Sequence, residues 1–360
     1  MDKIYNLTKR LVEMQTTEDK PEEIEKCLKI IEKEFSQDFY IKKFNYRNRP
    51  IIVLSNTRIK KVDLIFAGHV DVVPAKSKDF KLVEKGSKLF ARGIYDMKAP
   101  LATLLLAVKE YLKQSSKLKI AIFITADEEI DGLSTKYLIK EKGYKAKFAI
   151  LPDGGSEKEI VVEQKGFWQI KITIKGKGAH ASRPWKAENP ISEGLVLYNN
   201  LLKKFPLPKN ENNWRTTISL TRVMAGKSIN QIPTEAEFYF DIRYIKNRDK
   251  DKIISHMEKY SRQDLKVDII AENGLLQVKQ NNSYLKILKR VMEKELKKEV
   301  ELVRECGTSD AVFFTENKIP AVLFTLKGDG AHGEDEWVNK RSLGKYYKVV
   351  LNFLSELDKF

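Results

Sequence analysis

The sequence predicts an α/β protein: a mostly parallel mixed sheet flanked by helices, with a small βαββαβ unit inserted into it. Three observations carry this. Apolar runs of strand length alternate with helical patterns through the first part of the chain. Near Gly166 the rhythm changes to strands whose apolar residues alternate, and after Gly274 the first rhythm returns. Finally, 360 residues exceed what one hydrophobic core usually serves, so two domains are expected.

The elements follow in order. Ile4, Leu7, Leu11 and Met14 recur at helical spacing. Pro21 opens a second helix, with Ile24, Cys27, Leu28 and Ile31 on one face; proline suits a helix's first turn. Apolar runs at 51–54, 64–67, 120–125 and 148–151 predict buried strands, with helices over 101–112 and 135–142 between the last three. The second region predicts a strand at 167–174, a helix at 191–205, strands at 216–224 and 235–244, a helix at 251–261 and a strand at 265–271. That order is the split-βαβ, ferredoxin-like arrangement. A helix (284–296), a strand (300–303), a helix (309–316), a strand (321–326) and a closing helix (343–357) complete the chain. The expected division is 1–166 with 275–360 as one domain and 167–274 as the inserted one.

Composition narrows the partners. Hydrophobic residues at 42% and charged residues at 32% are ordinary for a soluble globular chain. No apolar run approaches the roughly 18–20 residues that cross a bilayer, so no membrane partner is expected. Residues 1–17 are amphipathic, carry acids and lack a small-residue cleavage site, which argues against a signal peptide. Two cysteines far apart, Cys27 and Cys306, form no disulfide framework and suit a reducing, cytoplasmic setting. The net charge of +16 is mostly lysine spread along the chain. Runs such as Lys294-Glu295-Leu296-Lys297-Lys298-Glu299 alternate sign as a solvated helix face does. No arginine cluster interleaves with aromatics, so no nucleic-acid partner is expected.

Five segments carry candidate chemistry. In Gly68-His69-Val70-Asp71, His69 is either a structural strand-end residue or a metal ligand whose other ring N–H is accepted by Asp71. In Gly93-Ile94-Tyr95-Asp96-Met97-Lys98, Asp96 either caps the following helix or bridges two metals. Asp127-Glu128-Glu129 follows the 120–125 strand at the sheet's carboxyl edge, where α/β ligand sites lie. Three adjacent acids repel one another unless one binds a cation and another keeps a proton. Asp153, in Leu151-Pro152-Asp153-Gly154-Gly155, again follows a strand, though Asp-Gly is also a common turn. His332, in Gly330-Ala331-His332-Gly333-Glu334-Asp335-Glu336, is flanked by glycines that let backbone and metal come close. Taken together, two histidines, three carboxylates and one spare acid suit a pair of zinc ions sharing a carboxylate.

The set GHVDVVP, RGIYDMK, DEE, GAHASRP, an Asn-x-x-Pro and GTSDA, in this order over nearly the whole chain, resembles the co-catalytic zinc peptidase and deacylase family. Its members include succinyl-diaminopimelate desuccinylase, acetylornithine deacetylase, aminoacylase, bacterial-type glutamate carboxypeptidase, and di- and tripeptidases. The resemblance implies a zinc exopeptidase-like catalytic domain with a lid and dimerisation domain inserted. It implies that His69 and Asp153 hold one Zn²⁺, Glu129 and His332 the other, and Asp96 both. Asp71 would orient His69, and Glu128 would be the general base. His180 would stabilise the oxyanion across a homodimer interface formed by the lids. Asn230 and Arg243 would hold a substrate carboxylate, and Gly307, Thr308 and Ser309 would donate hydrogen bonds to substrate; Ser309 could equally be an N-cap. His256 matches no motif and reads as structural.

Two departures bear on the substrate. Asp153-Gly154-Gly155 stands where desuccinylases and acetylornithine deacetylases carry Glu-Pro, nearer the di- and tripeptidase pattern. Gln164-Lys165-Gly166-Phe167-Trp168 replaces an Arg-rich segment; Lys165 could stand for one arginine, and Phe167 with Trp168 points to a more apolar pocket. The expected function is therefore a di-zinc amidohydrolase or exopeptidase, acting on an N-acyl amino acid or short peptide with a free carboxylate. Co²⁺ or Mn²⁺ would suit the same ligands. The alternative is a catalytically silent relative acting as a binding protein, which would have lost a ligand or the base.

Overall fold

The computed structural model describes residues 1–114, 117–210, 212–261 and 266–359. They form two compact units. One is Met1–Glu163 with Gln277–Glu305 and Ser309–Phe360; the other is Gln164–Leu276 with Cys306–Thr308. Two of the divisions fall a few residues from the expected 166/167 and 274/275, while Cys306–Thr308, expected in the first domain, group with the second. Lys165 goes with the second unit, packing its ammonium over the Trp214 ring. Its carbonyl accepts from the Thr308 hydroxyl at 2.7 Å.

The first unit is built on a nine-stranded mixed sheet. Its order runs Tyr40–Tyr46, Arg49–Ser55, Ile120–Thr125, Lys61–His69, Lys145–Leu151, Ala321–Leu323 and Glu159–Gln164, with Leu276–Gln277 and Glu301–Glu305 beyond. The middle four strands, from Ile120–Thr125 to Ala321–Leu323, are parallel, and their flanks are antiparallel. Parallel strands covered on both faces need apolar residues throughout, and every residue of Ile120–Thr125 is buried. The helices Ala99–Gln114, Leu133–Lys140, Ser283–Leu296 and Lys340–Leu357 lie within a few residues of their expected ranges. The strand expected at 321–326 stops at Leu323 because the chain turns into a small antiparallel sheet. That sheet, Gly328–Asp329, Trp337–Asn339, Lys88–Phe90 and Val83–Lys85 in order, is not legible from apolar runs.

The second unit has strands Gly166–Lys175, Thr217–Ala225, Glu235–Tyr244 and Lys266–Asn273, with helices Pro190–Lys204 and Arg248–Tyr260. Residue 265, where the last strand was expected to begin, lies outside the described residues. The sheet order is Thr217–Ala225, Glu235–Tyr244, Gly166–Lys175, Lys266–Asn273, antiparallel throughout, as in a ferredoxin-like unit. Burial alternates along the two central strands. Ile170, Ile172, Phe238 and Phe240 therefore face Leu197, Leu201, Ile253 and Met257 in one core. A β-carbon at Gly194 would come within 2.0 Å of the Phe238 ring, so only glycine lets that helix lie on the sheet.

Trp168 corrects an expectation here. The pleat turns it into this core, 4% exposed, so it cannot line a substrate pocket. Phe167 takes the other face, under the Arg243 guanidinium at 5.3 Å. His256 donates its Nε2–H to the Asn200 carbonyl, 3.0 Å away, linking the unit's two helices. No helix among the described residues is long and apolar enough to cross a membrane.

Candidate metal centre

The four parallel strands of the first unit all end at one edge, and each is followed by a candidate ligand. His69 closes its strand, Glu129 follows Ile120–Thr125, Asp153 follows Lys145–Leu151, and His332 follows Ala321–Leu323 through the small sheet. Asp96 arrives from a kinked turn that opens at Gly93 with φ 73°. Any other residue there would be strained, and its β-carbon would meet Val72 Cγ1 at 2.4 Å. Asp96 therefore does not simply cap the Ala99–Gln114 helix; the turn projects it to the strand ends.

Two trios of donors result. His69, Asp96 and Asp153 offer atoms within 4.8 Å of one another, and so do Asp96, Glu129 and His332. His69 Nε2 is 3.1 Å from Asp96 Oδ1, while His332 Nε2 is 3.2 Å from Asp96 Oδ2 and 3.0 Å from Glu129 Oε2. Bonds of about 2.0–2.1 Å to a tetrahedral zinc place ligand atoms about 3.3 Å apart. The His69–Asp96, His332–Asp96 and His332–Glu129 separations fit that spacing, and the imidazole–carboxylate chemistry of both trios suits such an ion.

Around the trios, the acids divide the work. Asp127 takes Ser134 N at 3.0 Å and Ser134 Oγ at 2.9 Å and faces Arg49, so it anchors the Leu133–Lys140 helix. The Asp71 carbonyl, not its carboxylate, is the nearest acceptor to His69 Nδ1, at 3.0 Å; the carboxylate Oδ1 stands at 3.4 Å. Asp71 Oδ2 instead accepts Glu129 N at 3.0 Å, so Asp71 contacts two candidate ligands at once. Burial, then the charges of Asp96, Asp71 and Glu129 against the opposing His69, push Glu128 up to about 7.

A profile of the peptidase family M20/M25/M40 matches residues 65–356. The chain belongs to that family. It is accordingly a metal-dependent hydrolase. This M20 chain is 30% identical over 319 residues to a succinyl-diaminopimelate desuccinylase of Rickettsia africae, covering 82% of this chain and 84% of that one. Its fold is similar to that of the aminopeptidase PepT from Bacillus cereus, with TM-score 0.81 at 21% identity over 99% and 98% of the chains. A Staphylococcus aureus tripeptidase gives TM-score 0.81 at 20% identity over 100% and 99%.

The remaining candidates of this M20 hydrolase lie in the second unit, apart from Ser309. His180 and Asn230 meet there: the Ala179–His180 strand pairs with Gln231–Ile232, and Ala181 N donates to the Asn230 carbonyl at 2.8 Å. Ser182 N donates to His180 Nδ1 at 3.2 Å, which places the ring proton on Nε2 of the neutral imidazole. Arg243 is gripped by Asp241 through Nε at 2.7 Å and Nη2 at 3.2 Å. The Thr308 hydroxyl is spent on Lys165, and Ser309 Oγ accepts Ala311 N at 3.3 Å at the start of the Ala311–Glu316 helix.

Three further residues of the first unit stand about the site, two of them bonded to its loops, and were not singled out from sequence. Glu336, buried, takes the backbone N–H of Gly93, Tyr95 and Asp96, each within 2.8–3.1 Å. Tyr95 donates its hydroxyl to the Gly155 carbonyl at 3.0 Å, tying the Asp96 turn to the Asp153 loop. Asp310, buried, accepts from the Thr135 hydroxyl. Only Glu336 gave a sequence signal: it is the acid of its run that immediately precedes the apolar pair Trp337-Val338.

The metal-free fold holds protons that the unfolded chain gives up. Besides Glu128, burial pushes Asp153 and Asp310 well above the carboxylate range. Bonds to Asp96 and Glu129 raise His332 to about 10. For His69, burial pulls down, but Asp71 and Asp96 outweigh it and hold it well above the usual imidazole value. Each raised group stabilises the fold fully below its unfolded pKa and loses that contribution as pH rises through its folded value. Asp96 is depressed, burial being outweighed by His332 and His69; its opposing contribution is complete above about pH 5. Metal-stripped protein is therefore expected to melt lower at pH 9 than at pH 6. One excess proton lost corresponds to about 1.4 kcal/mol per pH unit, and the shift to on the order of 5 °C. A metal ion held by these donors would displace their protons, so its stabilising effect should grow with pH. Calorimetry of chelator-treated protein checks this; a midpoint flat from pH 6 to 9 would count against a protonated site.

Proposed function

We propose that the chain is a two-zinc hydrolase that cleaves the amide bond of a small substrate carrying a free carboxylate, an N-acyl amino acid or a short peptide. The observation that carries this reading is that both donor trios share Asp96, with Glu128 half-buried among the same charges and belonging to neither. His69 and Asp153 would hold one ion, Glu129 and His332 the other, and Asp96 both. Bound there, zinc supplies Lewis-acid chemistry, polarising a carbonyl oxygen and lowering the pKa of a water from about 15.7 toward 7.

The chain's own groups supply the rest. The Asp71 carbonyl keeps the proton on His69 Nδ1, leaving Nε2 as a lone-pair donor. Glu128, which belongs to neither trio, takes a proton from water at a carboxylate oxygen. The water oxygen bonds to the acyl carbon, the C–N bond breaks, and Glu128 returns the proton to the leaving nitrogen. His180, with its proton on Nε2, is a donor suited to the developing oxyanion. Arg243, preset by Asp241, and Asn230 suit the substrate carboxylate. Retention of all five ligands and Glu128 supports an enzyme over a silent binding protein.

We read the assembly as a homodimer through the second unit, with His180 serving the partner's site. Exposed apolar side chains support this: Leu195 and Val196 on the Pro190–Lys204 helix, Val223 and Met224 on the edge strand Thr217–Ala225. Free thiols at Cys27 and Cys306 support a cytoplasmic setting. His180→Ala should lose turnover while keeping metal and fold. Mixed and exchanged with Glu128→Ala, it should regain activity, measured against either variant alone. No recovery in demonstrated mixed dimers would place His180 outside the partner's site.

The function itself is tested by hydrolysis of a panel with zinc-loaded protein: dipeptides, tripeptides, and N-acetyl, N-succinyl and N-carbamoyl amino acids, with and without a free α-carboxylate. Zinc-dependent cleavage confined to carboxylate-bearing members is expected, and the class cleaved separates peptidase from deacylase. Equal cleavage of blocked substrates would remove the carboxylate requirement.

A further inference from the structure

Three acids follow His332, yet they have different fates. Glu334 and Asp335 are exposed, while Glu336 is 3% exposed. Its two oxygens are filled symmetrically. Oε1 accepts Tyr95 N at 2.8 Å and Asp96 N at 3.1 Å; Oε2 accepts Gly93 N at 2.8 Å and Arg92 Nη1 at 2.7 Å. Arg92, 6% exposed, uses its second terminal nitrogen differently: Nη2 donates to the His332 carbonyl at 3.1 Å. One buried ion pair thus grips the backbone of two donor residues, Asp96 and His332, that lie far apart in the chain.

The grip reaches both trios through Asp96 but only the second through His332, so the second depends on it more. His69 ends a sheet strand and Asp153 follows one directly, so the ladder itself places them. His332 stands in an exposed loop, its side chain 55% exposed and its backbone at φ 64°. Orientation of such a residue must come from what holds its peptide group.

Resting on the two-metal reading above, we propose that Arg92 and Glu336 form a positioning clamp that sets the ion affinity of the Asp96–Glu129–His332 trio. The clamp acts by fixing donor geometry before the ion arrives, and touches neither substrate nor ion. Glu336→Gln leaves one good acceptor oxygen and turns an NH₂ group toward two N–H donors. Arg92→Lys keeps the buried charge pair but forfeits the fork that reaches both Glu336 and the His332 carbonyl.

The experiment is a two-site titration of chelator-stripped protein with Zn²⁺ against a chromophoric competitor, repeated with Co²⁺ for its absorption spectrum. In both variants, the affinity of one position is expected to fall by about 10- to 100-fold, the range for lost outer-shell partners. The other should stay within a few-fold, with the melting point of the stripped protein little changed. Arg92→Lys carries the test if Glu336→Gln does not fold. Two unchanged constants would overturn the clamp, and so would an equal loss at both positions accompanied by a lower melting point of the stripped protein. Wild-type protein that binds fewer than two ions would instead overturn the two-metal reading on which the clamp rests.

Discussion

Purified Glu128→Ala is expected to retain both ions and to lose turnover by at least 10²- to 10⁴-fold, the usual worth of a positioned general base. The middle acid of Asp127-Glu128-Glu129 differs from its neighbours in what surrounds it. Asp127 is committed to Ser134 and Arg49, and Glu129 belongs to a donor trio. Glu128 is raised to about 7 by burial and by carboxylates nearby, which suits a group that must accept a proton and then release it. Bound cations would lower that value, so the holoenzyme should keep its base ionised to lower pH than the stripped chain. The check is kcat beside metal content per chain. A variant that stays within tenfold of wild type assigns the base elsewhere; one that loses its ions makes Glu128 a ligand.

Asp96→Ala should have the widest effect on metal. Each trio falls to two donors, so both ions should be lost after dialysis, and the melting point should cease to respond to zinc. A ligand at about 1,000 times its Kd contributes about 4 kcal/mol to folding, and two such contributions would vanish together. Metal analysis and calorimetry with and without zinc measure this. One ion retained at full affinity would mean that Asp96 serves a single position.

The middle of the large sheet was legible because parallel strands covered on both faces leave uninterrupted apolar runs, such as 120–125. Candidate site residues were legible where they follow such runs, as His69, Glu129 and Asp153 do. The edge strand Tyr40–Tyr46 was not, because it buries little and is rich in lysine and polar residues. Trp168 was misjudged although its strand's alternation was visible; parity with Ile170 and Ile172 already places it in the core. Glu336 left a local signal ahead of Trp337-Val338, but its pairing with Arg92 was beyond reach because it joins segments 244 residues apart. The nearest acceptor to His69 Nδ1 proved to be a carbonyl, which every residue possesses and which no motif can announce.

The left-handed backbone at His332 narrows what can replace it. After glycine, asparagine and aspartate enter that conformation at least cost, whereas β-branched residues pay about 1–2 kcal/mol or more. Ligand exchange during evolution or redesign is therefore channelled at this position. A switch toward harder, oxygen-rich coordination through aspartate is open to the backbone, while softening the site with cysteine begins from strain.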